Sequence, residues 1–357
     1  MDIAVFVVVV LARFVVPLAI PKYPLPAIVL ALAIDAADQT VFAAFDVEPA
    51  NYQGYDKALD VYYLTVAYLS TLRNWTTGVA FRTGQFLWYY RLVGVVAFEL
   101  SGARPLLLIF PNTFEYFFIF YEVVRLWWSP NDMSRRTVVG AAAAIWIGIK
   151  LPQEYWIHIA QLDVTDVLGE NPWLWPVLGV VAVAAVIAGR RWASTLPPVD
   201  WPISVAVDSH PTTVLTVAAD PTSQRWAMVD HPLVEKTLLV GLVITIFLQL
   251  VPDADATVVQ VTFGVGVIVV ASAYVSYWLG ARGRSWAAAG GSFIGTGAIN
   301  LGVAFVFGLL PRRGDGDDAL LLLAVILIGL LTLIVVLYDR FRALRLTSSA
   351  STAGRVQ

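Results

Sequence analysis

The stretch PLPAIVLALAIDAADQTVFAAF, residues 24–45, is long and apolar enough to cross a bilayer, yet it carries Asp35, Asp38 and Gln39 near its middle. At about 1.5 Å per residue it matches a hydrocarbon core of roughly 30 Å. The three polar residues are spaced i, i+3, i+4 and share one helical face. A carboxylate at that depth costs about 2.5–3.5 kcal/mol on insertion scales, so this face must turn toward protein, water or an ion and away from lipid. The stretch predicts a membrane helix bordering a polar interior.

The rest of the chain agrees. Its 357 residues are 59% hydrophobic and only 14% charged, with a mean hydropathy of +0.73, whereas soluble domains carry about 25% charged residues. Apolar blocks recur near 3–20, 24–45, 58–76, 86–101, 106–126, 137–157, 173–189, 236–251, 257–280, 286–310 and 319–339. They predict an all-α, polytopic integral membrane protein of about 11 transmembrane helices in the plasma membrane. The opening MDIAVFVVVVLARF lacks a basic leader and a cleavage site, and reads as a retained first span. The absence of cysteine removes disulfides and thiolate chemistry, and no basic patch points to nucleic acid.

Loop charges orient the spans. Lys22, Arg73, Arg82, Arg125, Arg135, Arg136, Arg190, Arg191, Arg282, Arg284 and Arg340 fall on one side. Asp46, Glu48, Asp56, Asp163, Asp166, Glu170, Asp253, Asp255, Asp315, Asp317 and Asp318 fall on the other, with Arg104 and the pair Arg312–Arg313 as exceptions. The positive-inside rule then puts the N-terminus outside and the C-terminus in the cytoplasm. The chain divides into a polar-cored bundle at 1–170, a seventh span at 171–191 and a connecting segment at 192–232. An apolar bundle at 233–340 and a disordered tail at 341–357 follow. Within 192–232, β-prone runs around DSHP predict a cytoplasmic hairpin, and His210 and His231, each before a proline, read as solvated loop residues. Gly291 and Gly295, four apart in the tenth span, predict close helix packing and offer a contact to a second copy of the chain.

Mapped by depth, the intramembrane polar groups converge on the extracytoplasmic half. Asp35, Asp38, Gln39, Asp60, Asn112, Glu115, Lys150 and Glu154 are the candidate ligands for a solute or ion. Arg91 and Glu122 lie at similar inner depth and predict a structural ion pair. Glu154 and His158, at i and i+4, have the spacing of two metal ligands on one helix face. Pro111 and Pro152 remove backbone donors beside Asn112 and Lys150, predicting bends that line a cavity.

The leading expectation is a transporter or channel-like protein with an outward-facing cavity of intramembrane carboxylates. One alternative is a membrane enzyme acting outside the cytoplasm on a lipid-linked substrate, resembling polyprenyl-phosphate-dependent glycosyltransferases only in its acidic outer loop; Asp56, Asp60, Glu115 or Glu154 would then carry the chemistry. Another is a non-catalytic scaffold whose polar network fixes helix register. No cofactor is indicated, and the bilayer is the one partner the composition names.

Overall fold

The computed structural model describes residues 2–45, 52–129, 133–160, 164–193, 198, 204–207, 231–250, 263–272, 285–306 and 317–353. Within them the chain is all-α, with no strand. Helix α1 (Asp2–Val15) passes through a short 3-10 turn, Val16–Ala19, into α2 (Pro24–Ala44). Pro24 and Pro26 open α2, where a missing N–H costs nothing and the fixed φ favours the helix. Helices α3 (Tyr52–Asn74) and α4 (Gly78–Ser101) follow; α4 ends at Gly102, whose φ of 68° gives the left-handed cap that glycine takes without strain. Next come α5 (Pro105–Ile109), α6 (Thr113–Trp127) and α7 (Arg135–Ile145), the last capped by the Ser134 side chain accepting from the Thr137 N–H at 3.1 Å.

Both proline bends are present. At Pro111 the expected fifth span is broken into α5 and α6. Around Pro152 the helix widens: π-helical turns at Trp146–Lys150 and Tyr155–Ile159 flank α8 (Leu151–Glu154). A proline that cannot donate to the preceding turn is relieved by such widening.

Helices α9 (Val164–Glu170), α10 (Leu174–Ala193), α11 (His231–Gln249), α12 (Phe263–Ser272), α13 (Ser285–Val306) and α14 (Asp317–Ala353) complete the described chain. Helix α14 runs to Ala353, through most of the stretch 341–357 in which the sequence predicts a disordered tail. Of the hairpin expected within 192–232, residues 204–207 are described and form a bend, not a strand, with the Val207 N–H donating to the Lys22 carbonyl at 2.8 Å; the rest, with His210, lies outside the described residues, and His231 opens α11.

Helix α3 is the central rod, and every residue from 61 to 72 is buried. A helix apolar and buried all round must be covered on every side. It packs along α14 and also meets α1, α2 and α4, while α11 packs on α4 and α14. One hydrophobic cluster therefore runs from Ile20 and Tyr62 through Phe114 and Phe117 to Val240, Leu330 and Val335. The polar-cored and apolar stretches share this core. Near the α3 terminus, Arg345 donates to the Trp75 carbonyl at 3.0 Å and lies 3.5 Å over the Phe81 ring. Arg73 and Asn74 both donate to the Pro21 carbonyl, tying the α1–α2 turn to the end of α3.

Two helical stretches among the described residues are long and apolar enough to cross a membrane, Pro105–Trp127 and Leu323–Arg345. Helix α13 lies on α14 where Gly297 faces Thr332; a Cβ there would sit 3.6 Å from the Thr332 methyl.

Candidate functional site

Arg13 lies inside the apolar run of α1, and its side chain is only 4% exposed. Its guanidinium is held by four carboxylates from two helices. Nη1 donates to Asp38 and, at 2.7 Å, to Asp56; Nη2 donates to Asp35 and, at 2.7 Å, to Asp60. Asp35 and Asp38 come from α2, Asp56 and Asp60 from one face of α3. The α1–α2 hairpin lays Arg13 against both, and Tyr62 fixes the seam by donating to the Phe14 carbonyl at 3.0 Å and stacking on the Phe14 ring.

The charges do not balance. One guanidinium faces four carboxylates, a formal excess of three negative charges. Asp38 is enclosed at 2% side-chain exposure, whereas Asp56 and Asp60 stand at 35% and 41% and form the mouth of the cage. Burial pushes the Asp56 carboxyl above its usual range, against the opposing pull of Arg13. Oxygens of Asp35, Asp38 and Asp56 lie within 4.8 Å of one another, yet Arg13 already bonds each of these residues. The cage can take up further positive charge, as protons or as a small cation sharing the carboxylates with Arg13.

A second polar cluster joins α3, α6 and the π-helical stretch. Glu115 accepts from Tyr63 Oη and from Asn112 Nδ2, both at 2.8 Å, and its other neighbour is the Lys150 ammonium at 3.8 Å. Lys150 donates to Gln153 Oε1 at 3.0 Å and sits 4.0 Å over the Tyr116 ring. Glu154 accepts from the Asn112 backbone N–H at 3.1 Å and pairs with His158 at 3.0 Å. Here positive and negative groups match: Lys150 and Arg91 lie within electrostatic reach of Glu115 and Glu154. This cluster is neutral where the cage is not.

The candidate residues from the sequence thus fall into two places. Asp35, Asp38 and Asp60 meet at Arg13, with Asp56; Asn112, Glu115, Lys150 and Glu154 meet around Tyr63 and Gln153. The Gln39 side chain lies outside the described residues. The expected Arg91–Glu122 pair is not formed. Arg91 donates to the Phe110 carbonyl at 2.9 Å, exposed by the break at Pro111, while Glu122 pairs with Arg125 at 2.7 Å and accepts from Trp75 Nε1 at 2.8 Å. The two lie at different heights: Arg91 sits level with Phe110 and Glu115 near the start of α6, whereas Glu122 lies two turns further along α6 beside Trp75. Among the described residues no third carboxylate or imidazole joins Glu154 and His158 as a metal set.

Sequence reasoning missed Arg13, the centre of the cage. The signal was present: a lone cation in an otherwise apolar helix needs a counter-charge, and the adjacent span offers two. It also missed Glu235 and Lys236 at the start of α11, 4% and 3% exposed. Glu235 accepts from Tyr68, from Gln85 at 2.9 Å and from Tyr338 at 3.3 Å, and pairs with Arg342 at 3.2 Å. Lys236 pairs with Asp339 at 2.8 Å and donates to Ser272 at 2.8 Å. This network bonds α3 and α4 to α11, α12 and α14, and its charges balance.

Comparison of the chain with protein families, with curated proteins and with solved structures gives no match. Fold and site alone define its class: an all-α protein with helices able to cross a membrane and a buried arginine caged by aspartates.

Proposed function

We propose that the chain is a multi-spanning plasma-membrane protein of about eleven helices that moves a cation or protons through the Arg13–aspartate cage. The observation that carries the reading is the imbalance of the cage. Four carboxylates crowded on one guanidinium, Asp38 enclosed among them, call for neutralisation, and Arg13 can answer only one of the four. A site of that composition holds extra positive charge when closed and yields it when opened to water.

The membrane part of the reading rests on surface as well as sequence. Helix α10 exposes Val177, Leu178, Val180, Val181, Val183, Val186 and Ile187, several on opposite faces, and α13 exposes Ile294 and Phe305 at 72% and 76%. Apolar surface of this extent is stable in lipid and not in water. Asp56, on the acidic side of the loop-charge map, supports a cage mouth that faces the extracytoplasmic side.

Reconstitution into proteoliposomes tests this. The wild-type protein should carry Na⁺, K⁺ or H⁺ across the membrane down an imposed gradient, and Asp35→Asn with Asp38→Asn should reduce the flux at least about tenfold, as loss of an essential transport ligand does. Unchanged flux in a double variant that keeps its thermal transition would remove the cage from the pathway.

A further inference from the structure

Guanidiniums from α3, α6 and α14 gather at one end of the bundle. Arg73, near the end of α3, donates to the Pro21 carbonyl in the α1–α2 turn. Arg125, in the last turn of α6, and Arg340 of α14 both lie within electrostatic reach of Arg73. They come from stretches far apart in sequence, and the loop charges mark all three as cytoplasmic. Like charges gathered in this way favour an anion among them.

A second observation is the space beside them. Arg125 lines a cavity of about 260 Å³ between α2 and α6. Leu25 and Val29 of α2 and Leu126 of α6 form its apolar walls, and the bend at Ser204 and Val205 forms a further side. That bend is held where the Val207 N–H donates to the Lys22 carbonyl at 2.8 Å. Glu122 is the one carboxylate in the lining, and it is already met by Arg125 at 2.7 Å and by Trp75 Nε1 at 2.8 Å. Arg125 commits Nη2 to that pair. A guanidinium carries five N–H donors, enough to serve a carboxylate and a phosphate together. Val29 is exposed, and so are Tyr23 and Trp127, the chain neighbours of Pro24 and Leu126 in the lining. Aromatic side chains of this kind sit at the level of lipid headgroups.

We infer that this cavity binds an anionic phospholipid of the cytoplasmic leaflet. The phosphodiester sits at Arg125 with Arg73 behind it, and the first carbons of an acyl chain run along Leu25 and Val29. The direction is consistent, because α2 leads away from the cytoplasmic side and Val29 lies one turn deeper than Leu25. Basic pockets between membrane helices at this face hold headgroups in the same manner. The inference rests on the reading of the chain as a membrane protein and does not depend on the cage.

Full-length protein, delipidated in detergent, is titrated with phosphatidylglycerol or with phosphatidylcholine of the same chains, and bound lipid is counted by native mass spectrometry. The wild type should bind one phosphatidylglycerol at least about tenfold more tightly than phosphatidylcholine, the size of preference that two basic side chains give an anionic headgroup. Glu122→Gln with Arg125→Gln removes the ion pair as a unit and strands neither charge. Val29→Trp fills the cleft from an exposed position. Each variant should lose the preference. A preference kept in either, or equal affinity for the two lipids in the wild type, would overturn the site and leave the membrane reading standing. Inorganic phosphate that displaces phosphatidylglycerol at equal concentration would assign the site to a free anion and overturn the lipid. Protein that stays dispersed in water without detergent would overturn the membrane reading and this site with it.

Discussion

At the residue scale the structure turns on Arg13. It is 4% exposed at its side chain and bonded to four carboxylates, so its removal leaves them facing one another in a poorly solvated site. Arg13→Met should destabilise the protein by about 3–5 kcal/mol, the cost of stripping one partner from a buried ionic group, read as a lower thermal midpoint in detergent. Asp60→Asn should do the opposite. It takes one charge from the surplus, so the midpoint should rise. A fall would mean that all four carboxylates are needed to hold Arg13. Arg13 also shows where a linear reading loses information. The map of loop charges counts cations between spans, and a single arginine inside the run 3–20 adds nothing to that count.

At the scale of elements, spacing and proline were legible and lateral direction was not. The shared face of Asp35 and Asp38, the break at Pro111 and the distortion around Pro152 all follow from local rules of helix geometry. Depth along a helix orders residues by height alone. Asp60 and Glu115 share a half of the membrane in that ordering, yet they belong to the cage and the neutral cluster; Arg91 and Glu122 do not share a depth at all, because the break at Pro111 leaves Arg91 level with Phe110 and Glu122 beside Trp75. Which way a helix turns its polar stripe depends on tertiary contacts that no single span encodes. One such contact is the approach of α4 to the α5–α6 break: a Cβ at Gly94 would lie 2.0 Å from the Phe110 Cβ. Gly94→Ala should therefore cost about 1–3 kcal/mol through overpacking and loosen the Arg91 bond to the Phe110 carbonyl. A variant with an unaltered thermal midpoint would show that the break has room to move.

At the scale of the whole molecule, α3 joins what composition had separated. The charge-poor character of 233–340 suggested a bundle of its own, but α14 packs along α3 and the Glu235 network crosses between them. Glu235 and Lys236, at the edge of the eighth span, stand beside a loop in sequence and are buried in the fold. A shared core predicts one cooperative unfolding transition for both stretches. Glu235→Ala, which leaves Arg342 without its carboxylate and Tyr68 without its acceptor, should lower that single transition by about 3–5 kcal/mol. Two resolved transitions in calorimetry would instead mark independent bundles.

The central claim is that the cage around Arg13 takes up positive charge and releases it across the membrane. Transient currents from proteoliposomes on a solid-supported membrane, recorded after a jump in H⁺, Na⁺ or K⁺, test it most directly. The account predicts a current for at least one of these ions that saturates with concentration and disappears in Asp35→Asn with Asp38→Asn. A current of the same size and concentration dependence in that double variant, with its thermal transition intact, would contradict it.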